Sequence, residues 1–314
     1  MKKLLLTLLA IVACGLSVFA TVKGDVDGDG TVTAADVTVL YNYLLNGDAS
    51  FIVNGDVDSD GHITAGDVTC IYNILLGNVQ PDEGVTEYSV GGVKFKMVDV
   101  EGGTFNMGAT AEQASDAFDD EKPAHQVTLS SFAIGQTEVT QELWQAVMGN
   151  NPSSFTGDLQ RPVEYVSWND CQQFITQLNQ MTGKNFRLPT EAEWEYVARG
   201  GNKSQGYKYA GSHIIDDVAW CYSNANLTTH PVATKAPNEL GLYDMSGNVN
   251  EWCQDWYGSY SADAQTNPTG PSSGSSRVVR GGSYYNNARG CRVAYRFKLG
   301  VNNRVSYLGL RLAM

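Results

Sequence analysis

The chain has 314 residues, of which 42% are hydrophobic and 18% charged, and its formal net charge is −13. This composition excludes an intrinsically disordered protein, and the length allows one large domain and one small domain. The negative charge disfavours binding to nucleic acid. After the N-terminal 20 residues, no stretch of the sequence approaches the ~18 consecutive apolar residues of a membrane span.

The N-terminal segment MKKLLLTLLAIVACGLSVFA has the pattern of an export signal, because two lysines precede an apolar core that ends in small residues. We predict that residues 1–20 form a signal peptide cleaved after Ala20. The mature protein is then secreted, periplasmic or held at the cell surface. A lipoprotein signal is the alternative, since the residues before Cys14 also fit a lipid-attachment box, and it would leave an N-terminal lipid anchor.

An acidic repeat follows: GDVDGDGTVTAAD at 24–36 recurs as GDVDSDGHITAGD at 55–67. A calcium loop takes oxygen ligands from positions 1, 3, 5, 7, 9 and 12, with Gly at position 6 for a sharp turn. Both copies fit this pattern, and carboxylates held so close repel one another strongly without a cation. The predicted Ca²⁺ ligands are Asp25, Asp27, Asp29, the Thr31 carbonyl and Asp36, then Asp56, Asp58, Asp60, the His62 carbonyl and Asp67.

An amphipathic helix is predicted after each loop, because apolar residues recur there at i, i+3 and i+7. These residues are Val37, Leu40 and Leu44 in the first copy, and Val68, Ile71 and Leu75 in the second. Neither helix buries its apolar face alone, so we expect the copies to pack together. With Asp at position 12 and a single helix after each loop, residues 21–78 resemble the dockerin module. That resemblance implies calcium-dependent folding, a cohesin-type partner module, and attachment to a polysaccharide-degrading complex.

Residues 79–87, VQPDEGVTE, are predicted to be a linker. In residues 88–314, KFKMVDVEGGTFNMG predicts strand, turn and strand, and HQVTLSSFAIGQTEV predicts another two strands. Three helices are predicted from their end signals. One ends near Gly149, one runs from the N-cap Ser167 to Gly183, and one opens at Pro189-Thr190 and stops at Gly200.

The same region carries a series of ordered motifs. They are MVDVEGGTFNMG (97–108), TEVTQELWQAVMG (137–149), RPVEYVSWNDCQQF (161–174), FRLPTEAEWEYVARGG (186–201), PNELGLYDMSGNVNEWCQDWY (237–257), RVVRGGSYYN (277–286), CRVAYR (291–296) and GLRLAM (309–314). The series resembles the formylglycine-generating enzyme, or sulfatase-modifying factor, family over residues 88–314. The expected fold class is therefore α+β: a small two-repeat, EF-hand-like helical module, then a loop-rich domain related to C-type lectins.

The chemistry that the resemblance implies depends on two cysteines. Family enzymes oxidise a cysteine of a client sulfatase to formylglycine with O₂ and Cu(I), and two thiolates after the GGS motif hold the metal. GGSYYNNARGC places the second thiolate at Cys291, but the first position is occupied by Asn286. An amide is a hard, poor ligand for Cu(I), so we expect the copper centre to be lost or greatly weakened. Cys291 is catalytic only if the domain is active.

We therefore predict that the large domain acts mainly in binding or scaffolding, with a protein or glycan as its ligand. The alternative is a formylglycine-generating oxidase or another enzyme on the same fold, because a fold does not fix a function. Cys253 could supply the missing sulfur ligand in place of Asn286. We instead expect that Cys253 and Cys291 form a disulfide or are two separate buried thiols.

The resemblance also implies structural calcium in the large domain. In the family a GN-x-x-E segment wraps Ca²⁺, which gives Asn248, the Val249 carbonyl and Glu251 as ligands here. The alternative is that Glu251 is a buried acid paired with an arginine such as Arg280 or Arg296. A second family site would fall near Asp217, Val218, Asn224 and Asn226, where the loop is short and the match is poor.

Overall fold

The computed structural model describes residues 24–29, 31–47, 52, 55–57, 63–76, 84–113 and 116–314. The chain divides into two compact units, residues 1–83 and 84–314. Among the described residues, no helix has the length and apolar character needed to cross a membrane. The predicted signal peptide and Cys14 lie outside the described residues.

The N-terminal unit contains two similar helices, α1 (Ala34–Asn46) and α2 (Ala65–Leu75). Each begins with a capping box, formed by Thr33 with Asp36 in α1 and by Thr64 with Asp67 in α2. The helices bury their apolar faces in one shared core, as expected from the repeat. Its buried members are Val26, Val37, Leu40, Val57, Val68 and Ile71. The predicted face is wider than the observed one, because Leu75 at its end is 39% exposed.

The strands of the larger unit form four small sheets within its described residues. The first joins β1 (Val85–Val90), β2 (Val93–Val100) and β5 (Phe132–Gly135), and the second joins β3 (Gly103–Met107), β4 (His125–Leu129) and β9 (Gln265–Thr266). The third has the order β11 (Arg296–Leu299), β10 (Arg277–Arg280), β8 (Asn250–Trp256) and β12 (Leu308–Gly309), and the fourth pairs β6 (Ala219–Trp220) with β7 (Ser246–Gly247).

The four strands predicted between residues 94 and 139 are present, but they pair crosswise. β2 pairs with β5, where Val98 faces Ile134, and β3 pairs with β4, where Phe105 faces Val127. Strand β1 also begins inside the predicted linker, because Val85 is already paired with β2. The predicted linker boundary at residue 87 therefore falls inside β1, and residues 79–83 lie outside the described part of the chain.

The helices of the larger unit are α3 (Gln141–Met148), α4 (Trp168–Thr182), α5 (Glu191–Ala198) and the short α6 (Ile215–Val218). Single 3₁₀ turns occur at Asp119–Glu121, Gly201–Lys203 and Ala288–Cys291. The three predicted helices have the predicted ends: Gly149 and Gly183 are left-handed C-caps, and Ser167 is an N-cap. Trp144 on α3 stacks on Phe174 of α4 with ring centroids 4.8 Å apart, which joins these helices in the core.

Buried arginines hold the long loops in place. Four arginines are buried, and each pairs with a glutamate: Arg280 with Glu195, Arg292 with Glu121, Arg296 with Glu191, and Arg311 with Glu251. Several of them also donate to backbone carbonyls that no strand or helix satisfies; Arg280, for example, donates to the carbonyls of Ala294 and Tyr295. These charge-assisted hydrogen bonds replace the regular backbone pairing that loops lack.

Candidate functional site

The first predicted calcium loop brings three carboxylates together. One oxygen each from Asp25, Asp27 and Asp29 lies within 4.8 Å of the others. The backbone N–H of Asp29 lowers the pKa of Asp27, but desolvation and the charges of Asp36, Asp29 and Asp25 raise that pKa overall. Repulsion of this kind is what a bound cation relieves, so the donor set fits Ca²⁺.

The Asp at loop position 12 closes each loop onto its helix. Asp36 is fully buried, and its oxygens accept hydrogen bonds from the N–H groups of Val26 (2.7 Å), Asp27 (3.1 Å) and Thr33 (2.7 Å). Asp67 repeats this arrangement in the second copy, with Val57 and Thr64 as donors.

The remaining ligands of the second loop can be located only in part. Asp56 is described, whereas Asp58, Asp60 and His62 lie outside the described residues. In the first loop Thr31 donates its N–H and its hydroxyl to Asp29. The full ligand sets stay a prediction.

Both helices of the N-terminal unit expose large apolar side chains at equivalent positions. Tyr41 and Leu45 on α1 are 46% and 76% exposed, and Tyr72 and Leu76, at and just after the end of α2, are 48% and 71% exposed. Each pair is repeated at the same spacing as the calcium loops. The unit therefore carries a duplicated apolar surface, which we call the paired helix surface.

The region expected to hold copper contains Cys291 and Asn286. Cys291 is completely buried at the end of the 288–291 turn, and burial and then the charge of Cys221 raise the pKa of its thiol. The Asn286 side-chain oxygen accepts hydrogen bonds from the Ser283 hydroxyl (2.7 Å) and, more weakly, from Asn250 (3.4 Å). An amide oxygen therefore occupies the position where the resemblance places a thiolate.

The backbone is packed tightly against this thiol. Gly282 has φ +72°, and a Cβ added there would lie 2.8 Å from the Cys291 sulfur and 2.3 Å from the Gly290 carbonyl oxygen. Only glycine fits this close approach without displacing the turn. The geometry around Cys291 is thus fixed by the GGS motif.

In the described part of the larger unit, Cys171, Cys221, Cys253 and Cys291 are free thiols. The disulfide between Cys253 and Cys291 is not formed, and the alternative of two separate buried thiols is what the structure shows. Cys253 lies in an apolar core cluster with Trp194. Cys221, which sequence reasoning did not single out, contributes to the raised pKa of Cys291.

Tyrosines surround the Asn286 segment and form an exposed aromatic surface. Tyr285 and Tyr222 are 60% and 59% exposed, and the Tyr285 ring stacks on Tyr307 at 6.0 Å and meets Tyr222 edge-on at 6.4 Å. The Tyr222 N–H donates to the Asn286 carbonyl at 2.9 Å, which joins the two loops. We call Tyr222, Tyr285 and Tyr307 the tyrosine surface.

A buried acid and a strained residue border the same region. Burial raises the pKa of Glu164 to about 7, partly offset by the Phe155 N–H, which donates to it at 2.8 Å. The neighbouring Tyr165 is exposed and has φ +65°, an unusual conformation for a bulky residue. Strain of this kind is often retained at functional sites.

The predicted calcium ligands of the large domain make protein contacts in the structure. Glu251 accepts hydrogen bonds from Arg311 (2.8 Å) and from the Trp194 indole (2.6 Å), so its ion-pair partner is Arg311 rather than Arg280 or Arg296. Asn248 donates to Glu138 at 2.8 Å, and Val249 is buried. Calcium at Asn248, Val249 and Glu251 stays a prediction.

The second predicted region is also occupied by local hydrogen bonds. Asp217 accepts from the Ser212 hydroxyl, and Asn224 binds the Cys221 N–H and Asp216. Val218 is buried, and Asn226 has φ +53°. A calcium ion there stays a prediction as well.

Comparison with known proteins identifies both units. Residues 91–314 match the sulfatase-modifying factor enzyme 1-like domain, and residues 23–76 match the dockerin type I domain. The chain is similar to the chaperone protein LppX of Paenibacillus barcinonensis, with 34% identity over 69% of this chain and 88% of LppX. It is also similar to the formylglycine-generating enzyme of Streptomyces coelicolor, with 38% identity over 51% of this chain and 55% of that enzyme, so it spans about half the enzyme's length.

Solved structures share the fold of the larger unit. Treponema denticola variable protein 1 is 36% identical, with a TM-score of 0.67 over 74% of this chain and 99% of that protein. PvdO from Pseudomonas aeruginosa is 26% identical, with a TM-score of 0.58 over 69% of this chain and 93% of PvdO. The chain therefore belongs to the family of the sulfatase-modifying factor enzyme 1-like domain and carries a dockerin type I domain in front of it.

Proposed function

We propose that this is an exported calcium-binding protein, whose dockerin domain docks to a cohesin-type partner and whose larger domain binds a protein or glycan ligand. The observation that carries the proposal is Asn286, which stands where the enzymes of the family have a copper thiolate. The remaining thiol, Cys291, is buried and has a raised pKa, which disfavours the thiolate that Cu(I) requires. This donor set does not fit a copper centre.

Calcium in the dockerin domain would be held by Asp25, Asp27 and Asp29, together with Asp36. The ion supplies positive charge that cancels the repulsion among these acids and so stabilises the folded loop. Asp36 also forms the capping box of α1 with Thr33, so calcium binding and helix capping would be coupled through one side chain.

The paired helix surface supports docking. Four apolar side chains at equivalent positions of two helices are exposed, and exposed apolar clusters mark interaction sites. Because the repeat is internally symmetric, each helix presents the same pair of side chains to a partner.

The tyrosine surface supports a binding role for the larger domain. Tyrosine offers a large contact area with few rotatable bonds, so it binds protein or glycan ligands at low entropic cost. These rings already contact one another in the structure, which reduces the ordering needed on binding. The similarity to a protein named a chaperone also favours binding over catalysis.

Pull-downs with the full chain test both halves of the proposal. A Tyr41→Ala/Tyr72→Ala variant should lose calcium-dependent capture of a cohesin-type module, while a Tyr222→Ala/Tyr285→Ala variant should keep it. The second variant should instead lose partners that the wild type captures independently of cohesin. Capture of the same proteins by all three chains would refute the assignment of two binding surfaces.

The competing function is a formylglycine-generating oxidase, which the similarity to enzymes of that name favours. It requires a second copper ligand beside Cys291. Turnover of a cysteine-containing sulfatase peptide by the purified chain, abolished by Cys291→Ser, would establish it and overturn the binding proposal.

A further inference from the structure

The larger unit contains a pocket of about 300 Å³ between the start of α5, the end of β8 and the loop 258–271. Its lining shares no residue with the tyrosine surface and does not include Asn286 or Cys291. Its ionisable walls are Asp255, Glu191, Arg296, His125 and Tyr260, and its apolar walls include Met107, Ala192 and Pro268. A concave site with a few polar groups set among apolar ones is the usual form of a small-ligand site.

Asp255 is the acid in this pocket that lacks a cationic partner. It is 4% exposed, and its Oδ2 accepts the Glu191 N–H at 3.0 Å, the first amide of α5. In the described part of the chain its Oδ1 accepts no hydrogen bond and no arginine or lysine lies within 4.0 Å of the carboxylate. A Cβ on Gly270, which also lines the pocket, would lie 3.2 Å from Oδ1, so the glycine keeps this oxygen accessible.

Arg296 and Tyr260, two pocket residues that could donate to a carboxylate, already donate to other groups. Arg296 donates to both oxygens of Glu191, at 2.8 and 2.6 Å, and to the carbonyls of Asp120 and Gly258. The Tyr260 hydroxyl donates to Glu191 at 3.1 Å. Glu191 is therefore paired with Arg296, and neither Arg296 nor Tyr260 donates to Asp255.

His125 adds a second open acceptor. Its Nδ1 lies 3.1 Å from the Pro123 carbonyl oxygen, which can only accept, so Nδ1 carries the proton. In the neutral ring Nε2 is then an acceptor, and it makes no hydrogen bond to any residue that the structure describes. The pocket thus contains two hydrogen-bond acceptors with no donor among the described residues, Asp255 Oδ1 and His125 Nε2, whereas the donors of Arg296 and Tyr260 already make hydrogen bonds.

We propose that this pocket binds a primary ammonium group on an aliphatic chain, such as a lysine side chain, with Asp255 as its ion-pair partner. An ammonium group has three donors and no acceptor, which matches the open Oδ1 and Nε2. A buried carboxylate is costly unless it is paired, and the ligand supplies the missing positive charge. The methylene chain would lie against Met107, Ala192 and Pro268.

The pKa of Asp255 is raised, as expected for a buried carboxyl group that has no cationic partner among the described residues. Burial and then the charge of Glu191 raise the pKa of Asp255 to about 7. The charged and ionisable groups around it are Glu191, Glu193, Arg296, Arg277, His125 and Tyr260. The ligand binds the ionised acid, so its affinity should fall roughly tenfold from pH 8 to pH 6, as the ionised fraction falls from ~90% to ~10%.

Calorimetric titration of the full chain in saturating calcium tests the proposal, with n-butylammonium as probe and 1-butanol and methyl glucoside as neutral controls. We expect saturable binding of the amine alone, roughly tenfold weaker at pH 6 than at pH 8. Asp255→Asn should abolish binding, whereas Asp263→Asn, which changes an exposed acid on the loop 258–271, should leave it unchanged.

Equal binding of 1-butanol or the glucoside, or unchanged amine binding by Asp255→Asn, would overturn the proposal. If Asp255→Asn does not fold, the pH series on the wild type decides the question. An affinity that is the same at both pH values then refutes the pairing with Asp255. None of these outcomes depends on the cohesin partner or on the tyrosine surface.

Discussion

Removing one partner of a buried ion pair should destabilise the larger domain far more than removing one partner of an exposed pair on the same turn. Glu121 is fully buried and accepts two hydrogen bonds from Arg292, at 2.8 and 2.5 Å. Glu121→Ala leaves the buried guanidinium with only the Arg289 carbonyl and Gln113 as partners. Breaking a buried pair in this way costs about 3–5 kcal/mol.

The matched control is Asp119→Ala, two residues earlier. Asp119 is completely exposed and pairs with Lys122 at 3.2 Å, so its removal should leave stability unchanged within error. Urea unfolding followed by tryptophan fluorescence measures both variants, because all six tryptophans lie between residues 144 and 256 and report on the larger domain alone. Equal destabilisation by the two variants, at an unchanged m-value, would refute the argument from burial.

Three further predictions concern other parts of the chain. Chelation of calcium should destabilise the dockerin domain by about 2.7 kcal/mol if calcium is at a hundredfold its Kd, so that this domain unfolds before the tryptophan transition of the larger domain; loss of both transitions together would contradict this. Ile71→Ala should cost about 2–5 kcal/mol in the dockerin domain, because Ile71 is fully buried in its small core; circular dichroism melts would show no shift if that core does not hold the helices together. Glu164→Gln should gain stability over the wild type as pH rises from 5 to 8. The folded-state pKa of Glu164, about 7, lies above the unfolded value, so ionisation of the wild-type acid disfavours folding in that range. A difference in melting temperature between the two proteins that does not change with pH would exclude this cause.

The sequence predicts the local features of this fold well, because their causes are local. The caps at Thr190, Ser167 and Gly183 are set by residues within one helical turn, and the structure confirms them. The calcium loops are likewise contiguous. Strand pairing could not be predicted in this way, because β2 and β5 are joined by a ladder between residues more than 30 positions apart.

The candidate sites outside the loops depend on such distant contacts. The tyrosine surface forms because a backbone hydrogen bond brings the Tyr222 loop to Asn286. Glu251 finds its partner in Arg311, sixty positions away; the sequence predicted a buried ion pair only as the alternative to a calcium ligand, and with other arginines as partners. Asp255 was not singled out, because neither Gly270 nor His125 is its neighbour in sequence.

We propose that the larger domain, with Asn286 where the first copper thiolate would stand, does not bind Cu(I). Competition with a chromophoric Cu(I) chelator measures it directly, with the wild-type chain and the Asn286→Cys variant titrated in parallel under reducing conditions. We predict that the wild type leaves the copper with the chelator and that Asn286→Cys removes one equivalent. Stoichiometric Cu(I) uptake by the wild type, lost in Cys291→Ser, would contradict the claim.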